Sequence, residues 1–281
     1  MQKAPITLNI ELCIRCKLCE QDCPTGAIHI DTQRISNTCI ACGHCVAICP
    51  TAALLFDNKP VRTLQPQSIT PEQFISLSAH TRSIRHFTSQ KISEHILNKL
   101  IENLAHCPSS SNNRPIQVTI VTDPLKIQSI EKETLQILYT FFSKLTKPIP
   151  KFILSLFLTK KEQRKLAYYK HSFEKKIQSN KAYITYNAPA IMFFHGKKLK
   201  TQSLKADANI WATYTSLYAK TYGIGSCFNG FIVQADAQSK KIKHLVNIPK
   251  NHTIAACLLL GYPKHTYTHE TMRNKPKSTI I

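Results

Sequence analysis

Two stretches decide the fold of the N-terminal part of this chain: CIRCKLCEQDCP at residues 13–24 and CIACGHCVAICP at residues 39–50. Each places its cysteines in the order C-x2-C-x2-C-x3-C-P, so three thiols share one loop and a fourth precedes a proline. Thiolates at this spacing can wrap the corners of an iron–sulfur cube. Because the same spacing occurs twice, the sequence predicts a pair of [4Fe–4S] clusters.

The fourth thiol of each run decides how the cysteines are divided, because it ligates the other cluster in proteins with two such runs. We therefore assign one cluster to Cys13, Cys16, Cys19 and Cys49, and the other to Cys39, Cys42, Cys45 and Cys23. Zinc and disulfides are the alternatives, but zinc requires no thiol shared between runs, and the doubled spacing disfavours disulfides. Over residues 5–57 the chain resembles the bacterial two-cluster ferredoxins, which carry single electrons.

The 281-residue chain is long enough for two domains. We predict a ferredoxin domain at residues 1–58, a proline-containing linker at residues 59–71 and a second domain at residues 72–281. In the first domain each cysteine run reads as a short strand, a cysteine loop, one turn and another short strand. Such a small unit buries little apolar surface, so we expect the clusters to form much of its core.

The net positive charge of the chain comes from its second part. The formal net charge is +21, whereas residues 1–60 contain equal numbers of basic and acidic residues. Nucleic acid is disfavoured as a partner because no DNA- or RNA-binding motif is present. The basic surface suits instead an acidic electron donor, a phosphate-bearing cofactor or an anionic membrane face. We see no signal peptide or transmembrane segment, and reduced thiolates favour a cytoplasmic location.

The second part of the chain mixes helical and strand patterns. Ser93 is a candidate N-cap for an apolar helical face that Pro108 terminates, and Gly223 is a candidate helix stop. The patterns predict strands at 116–120, 190–194 and 254–260, and helices at 92–104, at 207–222 and within a Lys-rich insertion at 126–187.

Several weak signals follow one another in this second part: RSIRHF at 82–87, PSSSNNRP at 108–115, NAPA at 187–190, GIGSCFNG at 223–230 and LLGYP at 259–263. Their order and spacing resemble the nitroreductase family of FMN enzymes. The resemblance implies an α+β fold in which an antiparallel-rich sheet is packed with helices, following the small ferredoxin-like domain. Arg114 and Ile116 depart from the family pattern, as does the long insertion, and these departures concern the substrate pocket more than the cofactor.

The resemblance also implies the FMN site. Arg82, Arg85, Arg273 and Lys275 suit the phosphate, which carries about −2 charge. Ser83 and Asn112 can hydrogen-bond the cofactor, and the backbone at Asn229 and Gly230 is expected near its reactive edge. The full predicted set is Arg82, Ser83, Arg85, Ser109, Ser110, Asn112, Asn229, Gly230, Arg273 and Lys275. No catalytic acid–base side chain is assigned, and the family's homodimeric assembly is expected here.

We therefore predict an FMN-dependent oxidoreductase in which two clusters pass electrons to the flavin and on to a small oxidised acceptor, such as a nitroaromatic or a quinone. Reduced ferredoxin or another acidic donor is the expected reductant, and NAD(P)H is the alternative. A second interpretation is a redox sensor or electron-transfer adaptor without a dedicated substrate. A third is a redox protein that binds nucleic acid or membranes through the basic surface.

Overall fold

The computed structural model describes residues 4–150, 157–179, 181–198, 203–271 and 273–281. The chain divides into two compact units. The first comprises Met1–Ile69 together with Ser109–Arg114, and the second comprises Thr70–Pro108 and Pro115–Ile281. Among the described residues, no helix combines the length and the apolar character needed to span a membrane.

The first unit is built from two similar halves. Its elements are β1 (Ile6–Leu8), α1 (Leu18–Gln21), β2 (Ile28–His29), β3 (Arg34–Ile35), α2 (His44–Ile48) and β4 (Leu54–Phe56). β1 pairs with β4 and β2 pairs with β3, both antiparallel, so the strand, loop, turn and strand predicted for each half are confirmed. The buried core consists of a few aliphatic side chains with Cys19 and Cys45, which is the small core expected of such a unit.

Residues 60–70 form neither helix nor strand and are exposed. The next helix, α3 (Pro71–Ala79), begins in a capping box, in which the Thr70 hydroxyl accepts from the Gln73 N–H and the Gln73 side chain accepts from the Thr70 N–H. Pro71, which the sequence analysis placed in the linker, is the first residue of this helix, a position where its missing N–H costs nothing.

The second unit is organised around one four-stranded sheet. Its strands are β5 (Gln117–Val121), β6 (Ala190–Lys197), β7 (Gly225–Phe228) and β8 (His252–Gly261). They lie in the order β5-β6-β8-β7, and every neighbouring pair is antiparallel. β6 and β8 are buried along almost their whole length, which explains their uninterrupted apolar sequences.

Helices cover both faces of this sheet. They are α4 (Glu94–Asn103), α5 (Pro124–Leu145), α6 (Lys160–Gln178), α7 (Leu204–Thr221), α8 (Gly230–Gln238) and α9 (Lys241–Leu245). Side chains of β6 alternate between two cores. Ile191 and Phe193 share a core with α5, α6, α8 and α9, whereas Met192 and Phe194 share the other with α4 and α7. The alternation follows from the period of two along a strand.

Local signals in the second unit behave largely as predicted. The Ser93 hydroxyl accepts from the Ile96 N–H and starts α4. α7 begins at Leu204, earlier than the predicted 207, because Ser203 caps it through the Ala206 N–H. Gly223 follows with a φ of 72°, as a helix stop requires. The predicted helical insertion at 126–187 contains most of α5 and all of α6, while its residues 151–156 and 180 lie outside the described residues.

Candidate functional site

A small cavity in the first unit is bordered by four thiols. Cys13, Cys16 and Cys19 lie on one side, and Cys49 reaches it from the other half of the repeat. Leu8, Ile30 and Leu54 supply apolar walls. These four cysteines are the set that the spacing assigns to one cluster, and soft thiolates against apolar walls suit iron–sulfur ligation.

The fourth cysteine of each run is hydrogen-bonded in the same way in both halves. The Cys23 Sγ accepts from the Ala27 N–H at 3.2 Å, and the Cys49 Sγ accepts from the Ala53 N–H at 3.3 Å. Burial acts to raise the pKa of both thiols, but these backbone donors and the neighbouring threonine hydroxyls outweigh it, so both pKa values are lowered. A lowered pKa favours the thiolate, which is the form that binds iron.

Three of the remaining thiols, those of Cys39, Cys42 and Cys45, lie close to one another in the second half of the repeat. Burial raises the pKa of Cys45 to about 11, and the nearby thiols of Cys39 and Cys42 act in the same direction. Among the described residues, no three His, Cys, Asp or Glu side chains are close enough to hold one metal ion.

In the second unit, part of the predicted FMN set meets at the end of β7. Ser83 is bridged to Ser226, and the Ile84 N–H donates to the Ser226 carbonyl at 2.9 Å. Burial raises the pKa of Cys227, while the charge of Arg85 and a hydrogen bond with Ser83 oppose that shift. Ser83 and Arg85 therefore lie beside the Cys227 thiol.

Asn229 and Gly230 follow directly on β7. The Asn229 Oδ1 accepts from the Ile232 N–H at 3.1 Å and caps α8, and its Nδ2 donates to the Ile184 carbonyl at 2.6 Å. The Asn229 side chain is thus occupied by the protein, and its backbone N–H donates to the Cys257 carbonyl at 2.9 Å. A Cβ added to Gly230 would meet nothing within 4 Å, so open space adjoins this backbone.

Arg82 borders a cavity of about 450 Å³ in the second unit. Its Nη1 donates to the carbonyls of Ala79 and Thr81 at 2.6 and 2.9 Å, and its Nε is buried with no protein partner. The same cavity is lined by the basic or titratable side chains of His80, Lys220, His265 and His269. Glu270 also lines the cavity, and an orphaned buried guanidinium donor suits a phosphate.

The remaining predicted FMN residues lie elsewhere. Ser109, Ser110 and Asn112 belong to the first unit. There the Ser109 hydroxyl accepts from the Arg114 N–H at 2.9 Å, and the Asn112 Nδ2 donates to the carbonyls of Ile40 and Ala41. Arg273 and Lys275 are exposed in a C-terminal segment that forms neither helix nor strand.

Residues that support the β7 site were not predicted from the sequence. The Tyr186 hydroxyl is hydrogen-bonded with Arg85, and burial raises the pKa of that tyrosine. Tyr186 and Asn187 both have positive φ, at 50° and 54°. The turn before them is held by the buried Glu131 of α5, whose carboxyl accepts from the N–H groups of residues 183–185 at 2.6–3.0 Å. The Asn-Ala-Pro that follows Tyr186 was the one sequence signal for a tight turn here.

Comparisons with known proteins give matches for both parts of the chain. The nitroreductase family model matches residues 78–262, and the model of a 4Fe–4S dicluster domain matches residues 5–50. No curated protein matches the chain.

Solved structures match the second part. A nitroreductase with bound FMN from Bacteroides fragilis aligns with a TM-score of 0.56 and 18% identity, covering 75% of this chain and 100% of that one. One from Desulfitobacterium hafniense, also with bound FMN, gives 0.56 and 18%, covering 74% and 97%. An FMN-dependent nitroreductase from Clostridium difficile gives 0.53 and 19%, covering 75% and 100%. At these identities the likeness establishes the fold, and the predicted fold class is confirmed.

Proposed function

This chain belongs to the nitroreductase family, and on that premise we propose that it is an FMN-dependent oxidoreductase supplied with electrons by two [4Fe–4S] clusters. One observation supports the proposal most directly. A chain with this fold also surrounds a cavity with Cys13, Cys16, Cys19 and Cys49, which come from both halves of the repeat. Clusters bound by these cysteines could deliver single electrons in succession to a flavin, which uses two electrons in its reaction.

The proposed cluster ligands are the eight cysteines divided as the spacing indicates. Cys13, Cys16, Cys19 and Cys49 form one set, and Cys39, Cys42, Cys45 and Cys23 form the other. The chain's own contribution is to present thiolates, and the N–H donors at Ala27 and Ala53 stabilise the charged sulfurs of Cys23 and Cys49.

The proposed FMN contacts in the second unit begin with Arg82, whose buried Nε would donate to the phosphate. Ser83 and Arg85 would orient the cofactor beside Cys227, with the backbone at Asn229 and Gly230 near its reactive edge. The family resemblance adds Ser109, Ser110, Asn112, Arg273 and Lys275 to the set. Bound FMN would supply the two-electron chemistry, whereas the protein supplies binding, orientation and electrostatics.

The proposed acceptor is a small oxidised molecule such as a nitroaromatic or a quinone. Reduced ferredoxin or another acidic one-electron donor is the proposed reductant, because the second part of the chain carries the whole excess of positive charge. NAD(P)H is the alternative. We further propose a homodimer that works in the cytoplasm, where thiolates stay reduced.

The deciding experiment is anaerobic purification followed by analysis of iron, sulfide and FMN together with the visible spectrum. We expect about eight irons and one FMN per chain, as two four-iron clusters and one flavin require. Zinc in place of iron, or protein without flavin, would refute the proposal.

Anaerobic stopped-flow measurements then separate enzyme from sensor and fix the direction of electron flow. Reduced ferredoxin should reduce clusters and flavin in turn, and a nitroaromatic or quinone should reoxidise them with repeated turnover. Reduction without turnover of any acceptor would favour a sensor or adaptor. Fast reduction of the flavin by NADH or NADPH with oxidised clusters would reverse the proposed direction.

A further inference from the structure

Asn112 connects a strained segment to one cysteine loop of the first unit. Its Nδ2 donates to the Ile40 carbonyl at 3.3 Å and to the Ala41 carbonyl at 2.7 Å. Both carbonyls lie between Cys39 and Cys42, inside the loop that would wrap one cluster. The nitroreductase resemblance had predicted the same side chain as a flavin ligand.

The segment around Asn112 adopts a costly backbone conformation. Ser111, Asn112 and Arg114 have φ values of 50°, 52° and 45°, in the left-handed region. This region is unfavourable for most residues other than glycine. Strain of this kind persists only where surrounding contacts hold it, and the contacts here include the Arg114 N–H to Ser109 Oγ bond and the bonds of the Asn112 amide.

One peptide group links Asn112 to a cluster ligand. The Ile40 carbonyl, which accepts from Asn112, belongs to the same peptide unit as the Ala41 N–H. That N–H donates to the Cys39 Sγ at 3.4 Å. A donor on the carbonyl side of a peptide polarises it and strengthens the bond that its N–H makes. Asn112 therefore acts on Cys39 through the backbone.

The other half of the repeat offers a natural comparison. Ile14 and Arg15 occupy the places of Ile40 and Ala41, and Arg15 has a matching φ of 54°. In the described part of the chain, no side-chain donor reaches the Ile14 or Arg15 carbonyls. The amide of Asn112 is thus one difference between the two loops, which also differ in charge because Arg15 and Lys17 stand where the second loop has Ala41 and Gly43.

We propose that Asn112 is a positioning residue that raises the reduction potential of the Cys39, Cys42, Cys45 and Cys23 cluster above that of its neighbour, which makes this cluster the one from which electrons leave. The inference rests on the proposed cluster ligation. Reduction adds negative charge to a cluster, so a stronger N–H bond to its sulfur stabilises the reduced form. The ordering then directs each electron toward Cys39.

The transfer is balanced as a simple exchange of one electron. One electron from a low-potential donor would pass through the cluster held by Cys13 to the cluster held by Cys39, so that the donor is oxidised and the second cluster is reduced. No proton moves and no covalent bond changes. The loop that would hold the receiving cluster, at residues 39–42, accepts hydrogen bonds from Asn112. Asn112 lies in the segment 109–114, which continues through Pro108 and Pro115 into the second unit.

The test is an anaerobic dithionite titration of the holoprotein followed by EPR, which reports two cluster midpoints. Asn112→Gly removes the amide and keeps the left-handed backbone without strain. Asn113→Gly is the matched control, because the Asn113 amide donates to the Ser110 carbonyl within its own segment. Thr51→Val removes the hydroxyl 3.7 Å from the Cys49 Sγ and so identifies the other cluster's midpoint.

We expect Asn112→Gly to lower the reduction equilibrium constant of the higher-potential cluster by about threefold, or about 30 mV for a one-electron couple. Asn113→Gly should move neither midpoint, and Thr51→Val should move the lower one. If Asn112→Gly assembles no clusters by iron analysis, the isosteric Asn112→Asp replaces it and should shift the same midpoint downward.

An unmoved midpoint in the Asn112 variant, or a shift in the lower-potential cluster, would overturn this inference and leave the proposed function standing. Wild-type protein without cluster signals would overturn both. FMN content, measured on the same samples, tests the flavin part of the proposed function separately.

Discussion

Replacing Glu131 with glutamine tests how one buried carboxyl shapes the second unit. Glu131 is 7% exposed and accepts four hydrogen-bond donors from the turn that precedes β6. The donors are the N–H groups of Tyr183, Ile184 and Thr185 and the Thr185 hydroxyl. The same turn presents Tyr186 to Arg85 and the Ile184 carbonyl to Asn229.

The loss of stability expected for Glu131→Gln arises because the NH2 group of an amide cannot accept a hydrogen bond. A glutamine at this position keeps one accepting oxygen, but its NH2 group faces the N–H of Thr185, which now bonds an oxygen at 2.6 Å. A buried N–H left unpaired costs about 1–3 kcal/mol, and the remaining bonds lose their charge assistance. We therefore expect the free energy of unfolding to fall by about 3 kcal/mol.

Urea denaturation followed by tryptophan fluorescence measures this loss in the right unit. The chain has one tryptophan, and Trp211 is buried in α7 at 4% exposure. With a denaturant slope of about 2 kcal/mol per molar, the midpoint should fall by about 1.5 M. Glu133→Gln is the control on the same helix, because Glu133 pairs with Lys241 at 3.1 Å on the surface and such pairs contribute under about 1 kcal/mol.

A Glu131→Gln midpoint no lower than that of Glu133→Gln would show that the turn does not depend on the carboxyl. The structural role proposed for the Glu131 carboxyl would then be wrong. A loss of stability without weaker FMN binding would show instead that the turn supports the fold but not the β7 site.

Three further predictions concern other parts of the second unit. Burial and the charge of His252 lower the pKa of His195 to about 4, and burial lowers the pKa of His252. Unfolding restores both pKa values to near 6.5, so as the pH falls the unfolded state binds protons before the folded state does. Stability read from Trp211 should therefore hold above pH ~6.5 and decline toward pH ~4, a decline that His195→Gln should reduce. Gly261→Ala places a Cβ 2.5 Å from Pro189 Cδ and 2.8 Å from Phe87 Cδ1, so calorimetry should show a loss of about 1–3 kcal/mol; an unchanged melting temperature would contradict that packing. Gly230→Ala has free space around its Cβ and should leave the melting of flavin-free protein unchanged while weakening FMN binding in a fluorescence titration; unchanged affinity would remove Gly230 from the cofactor site.

Features set by local chemistry were predictable from the sequence. The cysteine spacing indicates the halves of the first unit because each loop is determined by residues a few positions apart. Ser93 and Gly223 mark helix ends for the same reason, since caps act within one turn. β6 and β8 were visible as apolar runs because both of their faces are covered.

Features that depend on distant partners were not predictable. Nothing in the local sequence distinguishes Glu131, which is buried, from Glu133, which is half-buried two positions later on α5. The donors that Glu131 accepts lie more than 50 residues away. Asn112 illustrates the same limit, because its partners at residues 40 and 41 lie about 70 residues earlier in the chain. A polar side chain's role is decided by the backbone groups that the fold brings to it.

The pairing of β1 with β4 has a consequence for how such proteins can be assembled. Ile6 is directly opposite Phe56, so the chain enters and leaves the cysteine-bearing module at adjacent points. The module is joined to the following chain by the exposed residues 60–70, and the segment Ser109–Arg114 from later in the chain also packs within its unit. A graft of this module onto another flavoprotein would therefore need the paired strands β1 and β4 together with the segment 109–114.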